Sequence, residues 1–324
     1  MRLPKFEYYK PESLSRAFKL MEKNQGEIKI VAGGTDLLVN MKHKLVSPRY
    51  LMSLKGIKEL NTISQNTDGV AIGSHVVLQR IEQDKLIIEK YSVLAQAAAS
   101  VGGPAHRIMG TIGGNIALDT RCWYYNQSKS WRNSRKPCFK TGGAICYVAK
   151  KSDTCQALYM GDTAPALMVL DAKVKAISSS SSRLIPVKQL FTGDGNNPTV
   201  LAKNEIITEI ILPNYEEDMI TSTYLKFRVR QAVDFPILGV AASHIKSGND
   251  SVIRIAVNGV APKPALFEVM KTEYNSFDNE IAAEHLSKMV FEQIRPVHRM
   301  GGNPIYKRSV LKNLVKQSIE VILV

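Results

Sequence analysis

The four cysteines of this 324-residue chain are the residues best suited to binding a metal. They are Cys122, Cys138, Cys146 and Cys155, with 15, 7 and 8 residues between them. Disulfides are uncommon in the cytosol, where we expect this protein, and core cysteines would not all fall in one short segment. Four thiolates can hold a tetrahedral zinc ion or a four-iron four-sulfur cluster. The spacing fits neither a zinc ribbon nor a bacterial ferredoxin, so it predicts a metal site and leaves the metal open.

The segment around the cysteines is basic and aromatic. From Arg121 to Cys155 the only acidic residue is Asp153, and both tryptophans of the chain, Trp123 and Trp131, lie here. The eight basic residues are Arg121, Lys129, Arg132, Arg135, Lys136, Lys140, Lys150 and Lys151. Positive charge stabilises an anionic thiolate-bound cluster, and aromatic side chains limit the access of water. The composition therefore favours a bound cluster over a basic surface loop with chance cysteines.

Two glycine-rich segments are suited to binding phosphate. They are Val31-Ala32-Gly33-Gly34-Thr35-Asp36-Leu37 and Gly110-Thr111-Ile112-Gly113-Gly114-Asn115. Glycine permits positive φ and close backbone approach, so successive N–H groups can point at one anion. Neither segment is a Walker loop or a Rossmann fingerprint, and either alone is compatible with an ordinary tight turn. Together they predict two nests that hold one diphosphate from opposite sides.

The elements that must position these loops follow from hydrophobic periodicity and from turn residues. Ser13 is a suitable N-cap for the first helix. Helices are predicted over Leu14–Lys23, Leu37–Lys42, Tyr91–Val101, Ala282–Glu292 and Ser309–Val321. Strands are predicted over 28–32, 49–54, 70–72, 173–177, 205–212, 222–229, 239–246 and 252–260, with the serine run 178–182 as a hairpin tip and an apolar run at 164–170.

Composition limits the classes of protein to consider. Hydrophobic residues make up 44% and charged residues 22%, as in a globular chain. We expect no membrane span and no signal peptide, and hence a cytoplasmic protein. The formal net charge of +14 favours an acidic partner, but no motif indicates nucleic acid. We predict three units: 1–55, 56–215 with an inserted loop at 119–160, and 216–324.

The two glycine loops, followed by Gly161-Asp162-Thr163-Ala164-Pro165-Ala166-Leu167, resemble the flavin domain of the xanthine oxidase family of molybdenum hydroxylases. The resemblance covers essentially the whole chain. It implies an α+β fold: a two-subdomain FAD-binding domain of the xanthine oxidase and vanillyl-alcohol oxidase-like type. A C-terminal α+β domain, with an antiparallel sheet and helices, would follow as in carbon monoxide dehydrogenase flavoproteins.

The resemblance also implies site residues on this chain. Ile30–Leu37 and Thr111–Asn115 would hold the FAD diphosphate. Asp162 would accept a hydrogen bond from the adenosine ribose or a nearby group, Lys226 would lie near the isoalloxazine ring, and Asp234-Phe235-Pro236 would lie near the flavin. We find no nucleophile–base pair, so we expect no catalytic residue here. The chain would transfer electrons while substrate chemistry takes place on another subunit.

The insertion that begins at Asp119-Thr120-Arg121-Cys122 is similar to that of flavoprotein subunits of the 4-hydroxybenzoyl-CoA reductase type. The similarity implies a [4Fe-4S] cluster on the four cysteines and reductive removal of a phenolic hydroxyl in anaerobic aromatic degradation. It also implies a molybdenum-cofactor subunit and a subunit with two [2Fe-2S] clusters, in a heterohexamer. We expect an acidic ferredoxin to dock near Lys129, Arg132, Arg135 and Lys136.

Two other functions stay open. One is the flavoprotein subunit of a different molybdenum enzyme, of the xanthine or carbon monoxide dehydrogenase type, that oxidises its substrate. The other is a zinc-stabilised binding module without redox chemistry.

Overall fold

The computed structural model describes residues 2–24, 27–216, 219–297 and 304–324, and it places three main sheets along the chain. The helices are α1 Leu14–Lys23, α2 Leu37–Lys42, α3 Leu78–Gln83, α4 Lys85–Lys90, α5 Ser92–Ala99, α6 Pro104–Met109, α7 Ile112–Ile116, α8 Lys129–Asn133, α9 Thr163–Val169, α10 Val187–Leu190, α11 Asn279–Gln293 and α12 Pro304–Ile322. The strands are β1 Glu7–Tyr9, β2 Ile28–Val31, β3 Tyr50–Ser53, β4 Ile63–Asn66, β5 Gly69–Gly73, β6 Lys173–Ile177, β7 Ser182–Pro186, β8 Phe191–Asp194, β9 Asn197–Thr199, β10 Ile206–Pro213, β11 Ile220–Phe227, β12 Leu238–Ser247, β13 Asp250–Asn258 and β14 Ala265–Met270.

The first sheet is small and parallel. Strands β1 and β2 both pair with β3, in the order β1-β3-β2. Helix α1 begins where the Ser13 hydroxyl accepts a hydrogen bond from the N–H of Arg16, and it buries Ala17, Phe18 and Met21. Those three residues recur at helical spacing, so the apolar face of α1 follows from the sequence. Strand β2 ends at Val31, the first residue of the first glycine loop, and α2 begins at Leu37, its last residue.

The second sheet is antiparallel and has the order β4-β5-β10-β6-β7. Helices α5 and α9 pack in the same core; every residue of α9 is buried. This burial explains why the run at 164–170 lacks polar residues, although it is a helix and periodicity alone does not identify it. The hairpin β6–β7 closes through the N–H of Ser178, which donates to the carbonyl of Ser181, as the predicted serine tip requires.

The third sheet is an antiparallel meander of β11, β12, β13 and β14. Helices α11 and α12 pack together and contribute Leu286, Val290, Leu311 and Val315 to its core. Sheet and helices thus form the α+β arrangement predicted for the C-terminal part.

The hydrophobic cores do not follow the predicted unit boundaries. Ile206 packs with the core under α1, and Tyr224, Ala241 and Ala256 pack with the core of the second sheet. The division at 55 and 215 therefore stays a prediction. No helix in the described ranges is long and apolar enough to cross a bilayer.

Candidate functional site

The two glycine loops lie against each other. A Cβ at Gly33 would collide with the carbonyl oxygen of Met109, and a Cβ at Gly114 would lie 3.5 Å from that of Ala32. Gly34 has a φ of +71°, a conformation that side chains disfavour. Loops far apart in the sequence therefore meet at one place, and glycine is needed for their close approach and for the turn.

The first loop offers free backbone donors. Among the described residues, the N–H groups of Gly33, Gly34, Thr35 and Asp36 make no hydrogen bond. Consecutive N–H groups without partners form a nest for an anion, and the loop leads into the N-terminus of α2. The geometry of this loop fits a phosphate group.

The second loop differs from the expectation of a second donor nest. The N–H of Ile112 donates to the carbonyl of Val76, that of Gly113 to Ser74, and that of Gly114 to the Thr111 hydroxyl. These backbone donors are used because the loop packs onto the end of β5 and caps the short helix α7. The second loop packs against the first loop, where Gly114 lies close to Ala32. A diphosphate contact by Thr111–Asn115 stays a prediction.

Asp162 lies at the centre of a buried polar network. Its carboxylate accepts hydrogen bonds from the Tyr224 hydroxyl at 2.7 Å and from the Lys226 ammonium at 3.0 Å. Lys226 also donates to the carbonyl of Ser100 at 2.8 Å. Burial raises the pKa of Asp162 to about 6, against the opposing effect of Lys226, and burial lowers the pKa of Lys226.

This network bears on two predicted flavin contacts. Both carboxylate oxygens of Asp162 already have donors on this chain, and the ammonium of Lys226 is turned toward Asp162. The ribose contact of Asp162 and the ring contact of Lys226 therefore stay predictions. Asn115 joins the same region, because its side-chain oxygen accepts from the N–H and hydroxyl of Thr163.

The structure brings the four predicted metal ligands together. Cys122, Cys138, Cys146 and Cys155 all line one small cavity, which has about 10 Å³ of free space and is partly open to solvent. The rest of the lining is mostly aromatic and apolar, with Tyr124, Tyr125, Phe139, Ile145, Tyr147 and Ala157. Four cysteines separated by up to 33 positions in the chain share this space, although no strand of a main sheet holds the loop.

Four cysteines in one cavity are compatible with two classes of metal site. Within the described ranges, no group of three or more His, Cys, Asp or Glu side chains is arranged to hold a single metal ion. A zinc ion requires sulfur atoms about 2.3 Å from one point, whereas a cluster lies between its thiolates and holds them further apart. Burial raises the pKa of the Cys155 thiol to about 11 and also raises that of Cys122. The four cysteines share one cavity, and the metal or cluster that they would hold stays a prediction.

Two charged residues of the insertion have roles that its composition did not reveal. Arg121 forms an ion pair with Asp36 of the first glycine loop, donates to Asn40 at 3.3 Å, and lies 4.7 Å from the ring centre of Phe235. Burial lowers the pKa of Arg121 to about 10. The insertion is thereby attached to the first glycine loop and to α2. The only signal in the sequence was the position of Arg121 beside the first cysteine.

Lys140 is the second such residue. Its ammonium bonds Asp119 at 2.6 Å, lies 4.8 Å from the ring centre of Tyr125, and its side chain is 5% exposed. The sequence indicated Lys140 only as one of eight cations around the cysteines, and the structure buries its side chain beside them.

The remaining cations of the insertion are either held by partners within the chain or exposed. Arg132 donates to the carbonyls of Lys44 and Gln127, so it holds the loop to the end of α2 and is a poorer docking residue than expected. The exposed cations are Lys129, Arg135, Lys136, Lys150 and Lys151. Arg135 packs over the ring of Trp131 at 4.2 Å.

A second pocket, of about 270 Å³, adjoins the cysteine cavity and shares Cys122 and Tyr124 with it. Its walls include Arg121, Trp123 and Phe235, and Asp234 lies at its edge. Aromatic walls and one guanidinium suit a flat ring system with electron-rich oxygen atoms. The predicted flavin segment Asp234-Phe235 thus lines a space next to the cysteines.

The chain is similar to known flavin-binding proteins. Residues 4–215 match the model of the "FAD binding domain in molybdopterin dehydrogenase" family. A xanthine dehydrogenase FAD-binding subunit of Escherichia coli O157:H7 is 24% identical over 96% of this chain and 94% of the relative. A glyceraldehyde dehydrogenase medium chain of Sulfolobus acidocaldarius is 27% identical over 98% of both chains.

Solved structures share the fold. A carbon monoxide dehydrogenase chain from Hydrogenophaga pseudoflava superposes with a TM-score of 0.77, covering 99% of this chain and 98% of that chain at 23% identity. A quinoline 2-oxidoreductase chain from Pseudomonas putida 86 gives a TM-score of 0.76, covering 100% and 98% of the two chains at 21% identity. The predicted fold class is confirmed by these superpositions.

Proposed function

The chain belongs to the family of FAD-binding domains in molybdopterin dehydrogenases, and from that premise we propose that it carries electrons between FAD and the other subunits of a molybdenum enzyme. The observation that carries the proposal is the row of unpaired N–H groups at Gly33, Gly34, Thr35 and Asp36. FAD, when bound, supplies the redox chemistry, and the protein supplies position and electrostatics. The first loop would bind the diphosphate, and the pocket beside Phe235 would receive the ring.

The reaction best supported is oxidation of a substrate on a partner subunit. The relatives of matching length are named as FAD-binding or medium chains of xanthine, glyceraldehyde and carbon monoxide dehydrogenases. We infer an oxidoreductase subunit of this type, with molybdenum-cofactor and [2Fe-2S] partner subunits. Similarity at these identities supports the class of enzyme and leaves its substrate open.

A second candidate is favoured by the cysteines. They line one cavity, and eight cations lie in the same segment. We infer that Cys122, Cys138, Cys146 and Cys155 hold a [4Fe-4S] cluster, as the similarity to the 4-hydroxybenzoyl-CoA reductase type implies. The enzyme would then reduce 4-hydroxybenzoyl-CoA to benzoyl-CoA on its molybdenum subunit.

The reductase candidate needs an external electron donor. Five cations of the insertion that carries the cysteines are exposed: Lys129, Arg135, Lys136, Lys150 and Lys151. Ferredoxins are typically acidic, and opposite charges speed the encounter of two proteins. We infer that an acidic ferredoxin docks on this surface, and that the chain belongs to a heterohexamer of three subunit types.

The test is the content of the purified chain, prepared without air. FAD released by heat should equal the chain in amount, which supports the flavoprotein assignment. Iron and acid-labile sulfide at about four of each per chain would support the cluster. Zinc in place of iron would favour the zinc-stabilised binding module. FAD without any metal would exclude the cluster and favour the flavoprotein subunit of a dehydrogenase. A chain that binds no FAD overturns the proposal.

A further inference from the structure

Lys140 occupies an unusual position for a lysine of a basic loop. Of the described side chains that line the cysteine cavity, it is the one with a permanent charge. Its side chain is 5% exposed, and its recorded hydrogen bond joins Asp119 at 2.6 Å. A buried ammonium is costly unless it is paired, and Asp119, at 37% exposure, compensates it only in part.

Negative charge in the cavity would offset the cost of burying the Lys140 ammonium. Four thiolates would place negative charge directly beside the Lys140 ammonium. In a site of low dielectric such a pair interacts far more strongly than on the surface. The exposed cations Lys150 and Lys136 are screened by water and counter-ions, so their effect on the cavity is weaker.

We propose that Lys140 is the residue that sets the reduction potential of the group held by the four cysteines, with Asp119 as its opposing charge. The inference rests on the proposed cluster. On reduction one electron enters the bound group, no bond forms or breaks, and its negative charge increases by one. A buried cation beside it favours the reduced form and raises the potential, whereas an adjacent carboxylate lowers it.

Substitutions of Lys140 and Asp119 should therefore shift the midpoint potential in opposite directions. Lys140→Met removes the cation and should lower the midpoint potential. Asp119→Asn leaves the cation uncompensated and should raise it. Lys140→Arg keeps the charge and should stay near wild type. Damage to the loop would shift both Lys140→Met and Asp119→Asn in the same direction, so the signs separate electrostatics from packing.

The experiment is a redox titration of the assembled enzyme with dithionite as the one-electron donor, followed by electron paramagnetic resonance. Lys150→Met is the matched control, because it removes an exposed lysine of the same insertion. Iron content is measured for each variant, and the flavin potential serves as an internal reference. If Lys140→Met loses its iron, the upward shift in Asp119→Asn still decides the question.

The outcomes are distinguishable. A wild-type chain without iron overturns the cluster assignment and this inference together. Normal iron content with an unchanged midpoint in Lys140→Met and Asp119→Asn overturns only the inference. A shift in Lys150→Met as large as that in Lys140→Met also overturns it, because any cation would then suffice. Opposite shifts in the two pair variants with an unchanged control support it.

Discussion

Arg121, the residue before the first cysteine, forms an ion pair with Asp36 of the first glycine loop. Their side chains are 17% and 24% exposed, so the pair is largely shielded from water. The backbone of Arg121 pairs with that of Leu158, which closes the base of the insertion. Arg121 therefore connects the cysteine segment, the first glycine loop and, through Phe235, the second pocket.

Replacing Arg121 by alanine should weaken FAD binding about tenfold, equivalent to about 1.4 kcal/mol. The carboxylate of Asp36 would lose its partner beside the phosphate site, where a second anion repels the diphosphate. FAD affinity is measured by quenching of flavin fluorescence. Arg49→Ala is the control, because its ion pair with Glu27 is exposed and contributes little. Equal affinity in wild type and Arg121→Ala would contradict a link between the two sites.

Replacing Gly34 by valine should abolish FAD retention and leave the chain folded. The residue has a φ of +71°, and a Cβ there would lie 3.0 Å from Leu38, so the nest must change shape. Strain of this kind costs about 1–3 kcal/mol. Gly248→Val is a matched control, because Gly248 has a φ of +58° with nothing within 4 Å of its Cβ. Full FAD occupancy in Gly34→Val would rule out the diphosphate assignment.

Replacing any one of the four cysteines by serine should remove the cluster or make it labile, while FAD stays bound. The cysteine ligands lie in the insertion, whereas the free N–H groups lie at 33–36. The visible spectrum, iron content and FAD content are compared for each variant. Ala144→Ser provides the control, since it changes an exposed position of the same segment. A normal cluster spectrum in all four single variants would show that the ligand set is wrong.

The buried pair of Asp162 and Lys226 should give a pH dependence to stability. The pKa of Asp162 in the folded chain is about 6, above its ordinary value of 3.8. The folded state therefore holds the proton more tightly, and this group's contribution to the free energy of unfolding falls as pH rises from about 4 to 6. The loss is at most about 3 kcal/mol, because one pKa unit corresponds to about 1.4 kcal/mol.

Urea unfolding of wild type and Asp162→Asn at pH 4.5 and 6.5 measures this effect. The free energy of unfolding of wild type, relative to that of Asp162→Asn, should be lower at pH 6.5 than at pH 4.5. Glu205→Gln is a useful comparison, because Arg183 lowers the pKa of Glu205 and its contribution changes in the opposite sense. A difference between wild type and Asp162→Asn that is the same at both pH values would show that Asp162 has an ordinary pKa.

Reversing the charge at Lys129, Arg135 and Lys136 should slow turnover driven by ferredoxin and remove its dependence on salt. Turnover with a small artificial reductant should change little, because it does not need a docking surface. Arg132 is left intact, since it holds the loop to Lys44. The control reverses the exposed cations Arg16, Lys19 and Lys23 of α1, which alters net charge equally. The same loss with both electron donors would indicate a structural role for the basic surface.

The sequence determined the features that depend on neighbouring residues. The periodicity of α1, the serine tip of the β6–β7 hairpin and the concentration of cysteines between 122 and 155 are all readable locally, because side-chain spacing and turn chemistry act over a few residues. The glycine loops and their order were sufficient to indicate the flavoprotein family.

Only the tertiary structure decided which of these groups are available for chemistry. The second glycine loop uses its N–H groups on Ser74 and Val76, and Lys140 is removed from the surface by Asp119 and Tyr125. Such partners come from distant parts of the chain, so local sequence patterns do not reveal which hydrogen bonds and ion pairs form. The sequence therefore shows which hydrogen-bond donors, cysteines and charged groups are present. Packing determines which of them have partners within the protein and which remain free to bind a cofactor.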